Sequence, residues 1–328
     1  MPPTGRPAPG HPGPRERRDR CPGALRPWAA EDGLLVRLRI IGGHLPVESL
    51  QALVGAAERY GDGRVHVTVR ANLQLRGFPS EEARPDRNEV PGAPAPAASS
   101  RLAPEAVDAL EATGLLPSRT HELVRNVMVS PGTGLWGGRA DLRPVAAELD
   151  RLLRAAPHRA RLPGRFLFVL DDGRGDLLER TCDLGLVALD EHWAQLRVGD
   201  GWGPIVAFED AAEALVALAD RFLELRGDGP SAAWHVTELP DPLTAPVPPD
   251  PRSPPPAPPL PYGPVPGGGR HVPVPDAGLD RAAADALAEE ARAAGASALV
   301  VTPWRGVLVR PADPHAPDPG VHAPGGRP

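Results

Sequence analysis

Proline divides this chain before any other residue does. Of its 45 prolines, 36 fall in four segments: 1–27, 79–104, 240–275 and 311–328. Proline fixes φ and lacks the amide proton that a helix or a strand ladder needs, so those segments cannot carry long regular elements. Regular structure is confined to the stretches between, whose composition is that of an ordinary globular protein. Segments 1–20 and 311–328, rich in Pro, Gly and Arg, read as disordered tails. Segment 81–103 reads as a linker. Segment 240–270 reads as a second, Pro-rich linker with extended structure, ending in Gly267-Gly268-Gly269.

Two of the blocks between the prolines carry the same order of elements. In block 21–80, Leu34 to Ile40 is a strand and Gly42-Gly43 breaks it. Leu50, Leu53, Val54 and Ala57 then repeat at i, i+3, i+4 and i+7, which predicts an amphipathic helix over 47–60. Arg64 to Phe78 alternates as one bent strand or two. In block 271–310, His271 to Val274 is a short strand, and Asp280 caps a helix that runs to Ala294. Strands follow at 298–302 and 305–309. Both blocks read β-α-β-β. Neither can bury its sheet alone, so the two halves should pair about a pseudo-twofold axis. Segment 104–239 reads as one mixed α/β domain, with helices over 141–156 and 210–226 and strands at 165–170, 184–189 and 195–198. The fold class is α+β.

Several functions are excluded by counts. Two cysteines, Cys21 and Cys182, cannot make a disulfide scaffold, a four-Cys zinc site or a four-thiolate iron–sulfur cluster. The net charge of −6 argues against nucleic acid as a partner. No apolar run reaches the length of a membrane span. No apolar stretch follows the basic N-terminus, so no secretory signal is expected and a cytoplasmic location is. Without secretion, Arg174-Gly175-Asp176 carries no adhesion reading.

The strongest local motif is Thr68-Val69-Arg70-Ala71-Asn72-Leu73-Gln74. In a strand of period two, Thr68, Arg70, Asn72 and Gln74 share one face, and Val67, Val69, Ala71 and Leu73 share the other. Arginine beside amide side chains suits a planar ligand with several carboxylates. The same pattern also suits a polar sheet face turned to water. Arg125-Asn126 leads into a short apolar strand, and Leu162-Pro163-Gly164-Arg165-Phe166 opens another. Each also reads as an ordinary strand start. His121 and Glu122 have no metal-ligand spacing, and Cys182 reads as an inert core thiol.

Together these segments resemble the nitrite/sulfite reductase ferredoxin-like half domain, and more narrowly its precorrin-3B synthase branch of aerobic cobalamin biosynthesis. The resemblance rests on Arg20-Cys21-Pro22-Gly23 through Trp28, the Tyr60-Gly61-Asp62-Gly63 turn and the Thr68-x-Arg70-x-Asn72-x-Gln74 motif. It continues through Arg125-Asn126-Val127, Leu162-Pro163-x-Arg165-Phe166, Trp234-His235-Val236 and Thr302-Pro303-Trp304-Arg305-Gly306. It implies two half domains and a larger α/β domain of siroheme/sulfite reductase type, with siroheme or a related tetrapyrrole where they meet. Arg70, Arg125 and Arg165 would face its carboxylates or a bound anion, with Asn72, Gln74 and Asn126 beside them. Leu167 stands where sulfite reductases carry a further basic residue, which favours a tetrapyrrole substrate over sulfite. The implied reaction is hydroxylation of precorrin-3A. The family's [4Fe-4S] cluster uses a Cys-x5-Cys and a Cys-x3-Cys motif that this chain lacks. The resemblance therefore implies that the cluster-binding domain is missing or comes from a separate polypeptide. The alternatives are a non-catalytic tetrapyrrole-binding fragment and a sulfite or nitrite reductase-like protein.

Overall fold

The computed structural model describes residue 19, residues 21–80 and residues 101–310. The tails and most of the 81–103 segment lie outside the described residues.

The first half contributes β1 (Trp28–Ala30), β2 (Gly33–Leu38), β3 (His44–Pro46), α1 (Val47–Tyr60), β4 (His66–Val67) and β5 (Leu73–Phe78). The region between contributes α2 (Pro104–Ala112), β6 (Val127–Val129), α3 (Arg143–Ala155), β7 (Phe168–Asp171), β8 (Leu184–Ala188), β9 (Trp193–Val198), β10 (Gly201–Ala207) and α4 (Phe208–Leu225). The second half contributes β11 (Gly263–Val265), β12 (Gly269–Pro273), α5 (Arg281–Ala293), β13 (Ala298–Thr302) and β14 (Gly306–Val309).

The two halves do pair as pseudo-symmetric partners, and they do so by exchanging strands. The first sheet runs β1-β2-β5-β4, and the second runs β11-β12-β14-β13-β3. Its last strand, β3, comes from the first half and pairs antiparallel with β13, Leu45 opposite Leu299. The reciprocal exchange is shorter: Leu279, just before α5, bridges Val65, just before β4. Each half thus donates the segment before its helix to the other's sheet. Helices α1 and α5 pack together, and one apolar core runs through Leu50, Leu53, Leu73, Leu75, Leu287, Leu299 and Val307. Gly43 makes the exchange possible. It has φ of +74°, and a Cβ there would lie 2.1 Å from the Val301 carbonyl oxygen.

The middle sheet runs β10-β9-β8-β7-β6, with β6, β7 and β8 parallel and the rest antiparallel. α3 and α4 cover one face around Phe166, Phe168 and Phe222. Trp304 of the second half packs with Met128, Leu167, Val169, Leu177 and Cys182, away from that core.

Three sequence expectations differ from the structure. Residues 68–71 do not continue a strand. They form a hairpin turn, with Thr68 N donating to Asn72 O and Ala71 at φ +53°. Alternation therefore stops at Val67, and Val69, expected on the same face as Val67, Ala71 and Leu73, is 49% exposed where those three are buried. Segment 240–270 is not a free spacer. Its chain is tied down by hydrogen bonds from Gln195 Nε2 to Pro248 O and from Ala257 N to Gly175 O, and β11 and the start of β12 lie within it. Finally, α2 packs with α1 in the half-domain core rather than with the middle sheet. Among the described residues, no helix is long and apolar enough to cross a membrane.

Candidate functional site

Four arginines gather where the first half meets the middle region. Arg37 lies on β2, directly opposite Gln74 on β5, and its Nη2 donates to Gln74 Oε1 at 3.3 Å. Arg39 follows β2 and is buried. It donates to Pro22 O at 3.0 Å and to Gly164 O at 3.4 Å. Arg70 sits on the tip of the β4–β5 hairpin and donates to the Arg165 carbonyl at 3.0 Å. Arg165 itself stands on a tight turn, Phe166 N to Pro163 O, just before β7 rather than within the strand. Its guanidinium lies over the Trp234 ring, 4.7 Å from the centroid.

The electrostatics of this cluster are unbalanced. Among the described residues, none of Arg37, Arg39, Arg70 and Arg165 forms an ion pair with a carboxylate. The Nε atoms of Arg37, Arg39 and Arg165 are buried without a hydrogen-bond partner. A buried donor left unpaired costs about 1–3 kcal/mol, so three of them in one place call for an acceptor. Burial pushes Arg37 down, the Cys21 thiol offsets part of this, and Arg70 adds repulsion. Burial also takes Arg39 down to about 10.

Two carboxylates come near Arg39, those of Asp19 and Glu122, and both are committed to the backbone. Asp19 accepts from Cys21 N and from Gly164 N at 2.6 Å. Burial pushes Asp19 up, but those two amides outweigh it and hold the group below the usual range. Cys21 packs on Gly164, where a Cβ would lie 2.7 Å from the Cys21 Cβ, so only glycine lets the two segments meet. The thiol is pushed up, first by burial and then by Asp19. Glu122 holds the same N-terminal segment by accepting from Ala24 N and Leu25 N, at 2.7 and 3.0 Å.

Of the six residues singled out from sequence, the structure gathers five and gives them two kinds of work. Arg70, Gln74 and Arg165 line the cluster. Asn72 and Asn126, 1% and 2% exposed, are stitches between the first half and the middle region. Asn72 Nδ2 donates to Asn126 Oδ1 at 3.0 Å, Asn126 Nδ2 to Gly164 O at 2.7 Å, and Asn72 Oδ1 accepts from Ile40 N. Their polar atoms are used within the protein. Arg125 departs from expectation. It is 7% exposed, pairs with Asp150 and donates to the Arg39 carbonyl, so its charge is spent inside the scaffold. The sequence reading missed Arg37, Arg39 and Trp234 as site residues. Two arginines at i and i+2 within an apolar strand were the available signal for the first two.

Residues 29–86 match the nitrite/sulfite reductase ferredoxin-like half domain. The chain carries that half domain. It is 33% identical over 160 residues to a precorrin-3B synthase from a Sinorhizobium species, covering 48% of this chain and 29% of the relative. It is 31% identical over 170 residues to a ferredoxin–nitrite reductase from Synechococcus elongatus, covering 50% and 29%. The structure of the Mycobacterium tuberculosis NirA protein superposes with a TM-score of 0.61 at 18% identity, covering 90% of this chain and 57% of that one. At that identity the likeness is one of fold. The chain thus spans under a third of the length of these curated relatives. Within the half domain, the matched range holds Arg37, Arg39, Arg70, Asn72 and Gln74.

Proposed function

We propose that the arginine cluster binds a polycarboxylate tetrapyrrole, and that the chain is the binding scaffold of a precorrin-3B synthase-like oxidoreductase. The observation that carries this reading is the convergence of Arg37, Arg70 and Arg165, beside Gln74, with no carboxylate partner among the described residues. Several guanidinium forks at fixed spacing match several carboxylates on a rigid ring. Val69 adds an exposed apolar side chain next to Arg70, which suits the flat face of a macrocycle.

Siroheme fits this donor set as well as an iron-free precorrin does, because the acidic side chains are common to both. When bound, siroheme would supply the iron-centred electron chemistry. Arg37, Arg70 and Arg165 would hold its carboxylates, and Arg39 would fix the floor beneath them. A four-thiolate cluster does not fit. Cys21 and Cys182 are the two thiols available, and burial pushes Cys182 up to about 11. A polypeptide bearing the four cluster cysteines is the partner that an oxidoreductase reading asks for. The thiol count equally favours a second reading, a tetrapyrrole binder without catalysis. Hydroxylation of precorrin-3A on adding such a polypeptide separates the two.

The binding claim is tested by fluorescence titration with uroporphyrin III, an octacarboxylate. Arg70→Ala should weaken binding roughly tenfold or more, the value of one charge-assisted hydrogen bond, and binding should weaken as salt rises. Equal affinity in the parent, Arg37→Ala and Arg70→Ala would sink the assignment.

A further inference from the structure

The cluster's most exposed problem is how Arg165 stays in place. Its side chain has five N–H donors, and none reaches an acceptor among the described residues. Such a side chain ordinarily samples many rotamers. Here the face of Trp234 lies against the guanidinium and restrains it.

We infer that Trp234 is a positioning residue, which holds Arg165 by its ring face so that the edge of the guanidinium is presented to an anionic ligand. This rests on the binding reading above. Stacking uses the flat face of the guanidinium and leaves the in-plane N–H groups to a carboxylate, so the two interactions do not compete.

The surroundings fix the ring relative to the arginine. Trp234 N donates to Glu238 Oε2 at 2.6 Å, and the same oxygen accepts from His235 N. Buried Asp183 accepts from Leu167 N, two residues after Arg165, at 2.9 Å. It also accepts from Val236 N at 3.1 Å and contacts His235 Nδ1 at 3.0 Å. One carboxylate thereby ties the Arg165 segment to the Trp234 turn. A bracket of this kind is what a stacked pair needs to hold a constant distance.

The test uses the full chain and uroporphyrin III. Trp234→Leu should weaken binding roughly three- to tenfold, the range of one partly buried cation–π contact. Trp234→Phe, which keeps an aromatic face, should recover most of that loss. Arg165→Ala should weaken binding more, and adding Trp234→Leu to it should do nothing further, because the ring acts only through the arginine. Thermal melts of each variant should stay within a few degrees of the parent. If Trp234→Leu unfolds the protein, Trp234→Phe and Trp234→Phe/Arg165→Ala carry the test in its place, and Phe should then weaken binding only when Arg165 is present. Loss with Arg165→Ala but parent affinity in both Trp234 variants would overturn this inference and leave the binding reading standing. Additive losses in the double variant would also overturn it. Parent affinity in Arg70→Ala and Arg165→Ala alike would overturn the binding reading itself.

Discussion

Arg125 and Arg70 show how alike residues come to differ. Both lie in motifs that promise a cation for an anionic ligand, and both sit at the seam between the first half and the middle region. Arg70 stands on a hairpin tip, where its guanidinium donates to a carbonyl and, among the described residues, meets no carboxylate. Arg125 lies beneath the seam and finds Asp150 on α3, which also receives Arg154. Removing Arg125 leaves buried Asp150 with the half-exposed Arg154, so the cost is about 2 kcal/mol, below that of a fully uncompensated buried charge. Arg125→Ala should therefore lower the denaturant midpoint clearly. Arg70→Ala should change the unfolding free energy by under about 0.5 kcal/mol and barely move that midpoint, since it removes one partly exposed bond and relieves repulsion. Equal effects on stability would show that the two arginines do not divide in this way. Sequence could not separate them, because the partner of Arg125 lies 25 residues away on a helix whose polar positions look alike. The amides Asn72 and Asn126 were legible as important, but not as stitches, for the same reason.

The repeated element order was legible because it rests on local patterns: the i, i+3, i+4, i+7 apolar spacing of α1, the Asp280 cap on α5, and glycine stops. What the pattern could not carry was the hairpin turn, because threonine, arginine and asparagine at alternate places read the same in a strand. The deciding interactions are side chain to backbone, and they occur twice. Thr68 Oγ1 accepts from Asn72 N at 3.1 Å, and Thr302 Oγ1 accepts from Gly306 N at 3.2 Å, four residues on in each half. Ala71 and Arg305, one place before those amides, both take left-handed φ, +53° and +57°. The two hairpins are copies in geometry, and they differ at the tip: Arg70 reaches toward the cluster while Trp304 packs into the middle region. Thr68→Val and Thr302→Val each strip an acceptor from a turn amide and should each cost about 1–3 kcal/mol. Thr302→Val should cost more, because its hydroxyl is also bonded to buried His271 Nε2 at 2.9 Å. Urea unfolding of both variants checks the size and the order. Arg305→Gly should be neutral or stabilising by about 0.5 kcal/mol, because it relieves the left-handed strain and gives up only an exposed pair with Asp276.

At the scale of the molecule, strand exchange makes the two halves one folding unit; the middle region meets the second half through apolar contacts, at Trp304 and at the loop of Trp136, and an ionic joint within the middle region braces that loop. Arg174 pairs with Asp172, lies 4.0 Å from Asp176, and lies over Trp136, whose loop leans on Val265, Val300 and Leu308 of the second sheet. Three carboxylates, Asp171, Asp172 and Asp176, share this one cation. Asp171 is satisfied by the amides of Gly173, Gly175 and Leu177. Asp176 is held by one bond from Ser130 Oγ, with Arg180 farther off. Burial, and then repulsion from Asp171, push Asp176 up to about 7. The sign of the consequence follows from linkage: a carboxyl group with a raised folded pKa is most compatible with the fold while protonated. Stability from this group is greatest below about pH 4, the ordinary aspartate value. It falls as the pH rises toward 7 and is level above that. Asp176→Asn keeps an acceptor for Ser130 and removes the charge. It should raise stability at pH 8 by on the order of 2 kcal/mol, with little change at pH 4, and so flatten the melting temperature between pH 5 and 8. A variant whose melting temperature ran parallel to the parent across that window would show that the joint does not titrate. These residues stand together in the sequence, Asp171-Asp172-Gly173-Arg174-Gly175-Asp176, yet nothing in it marks them as a joint, because that role depends on three contacts beyond their own loop, at Ser130, Trp136 and the chain at Ala257.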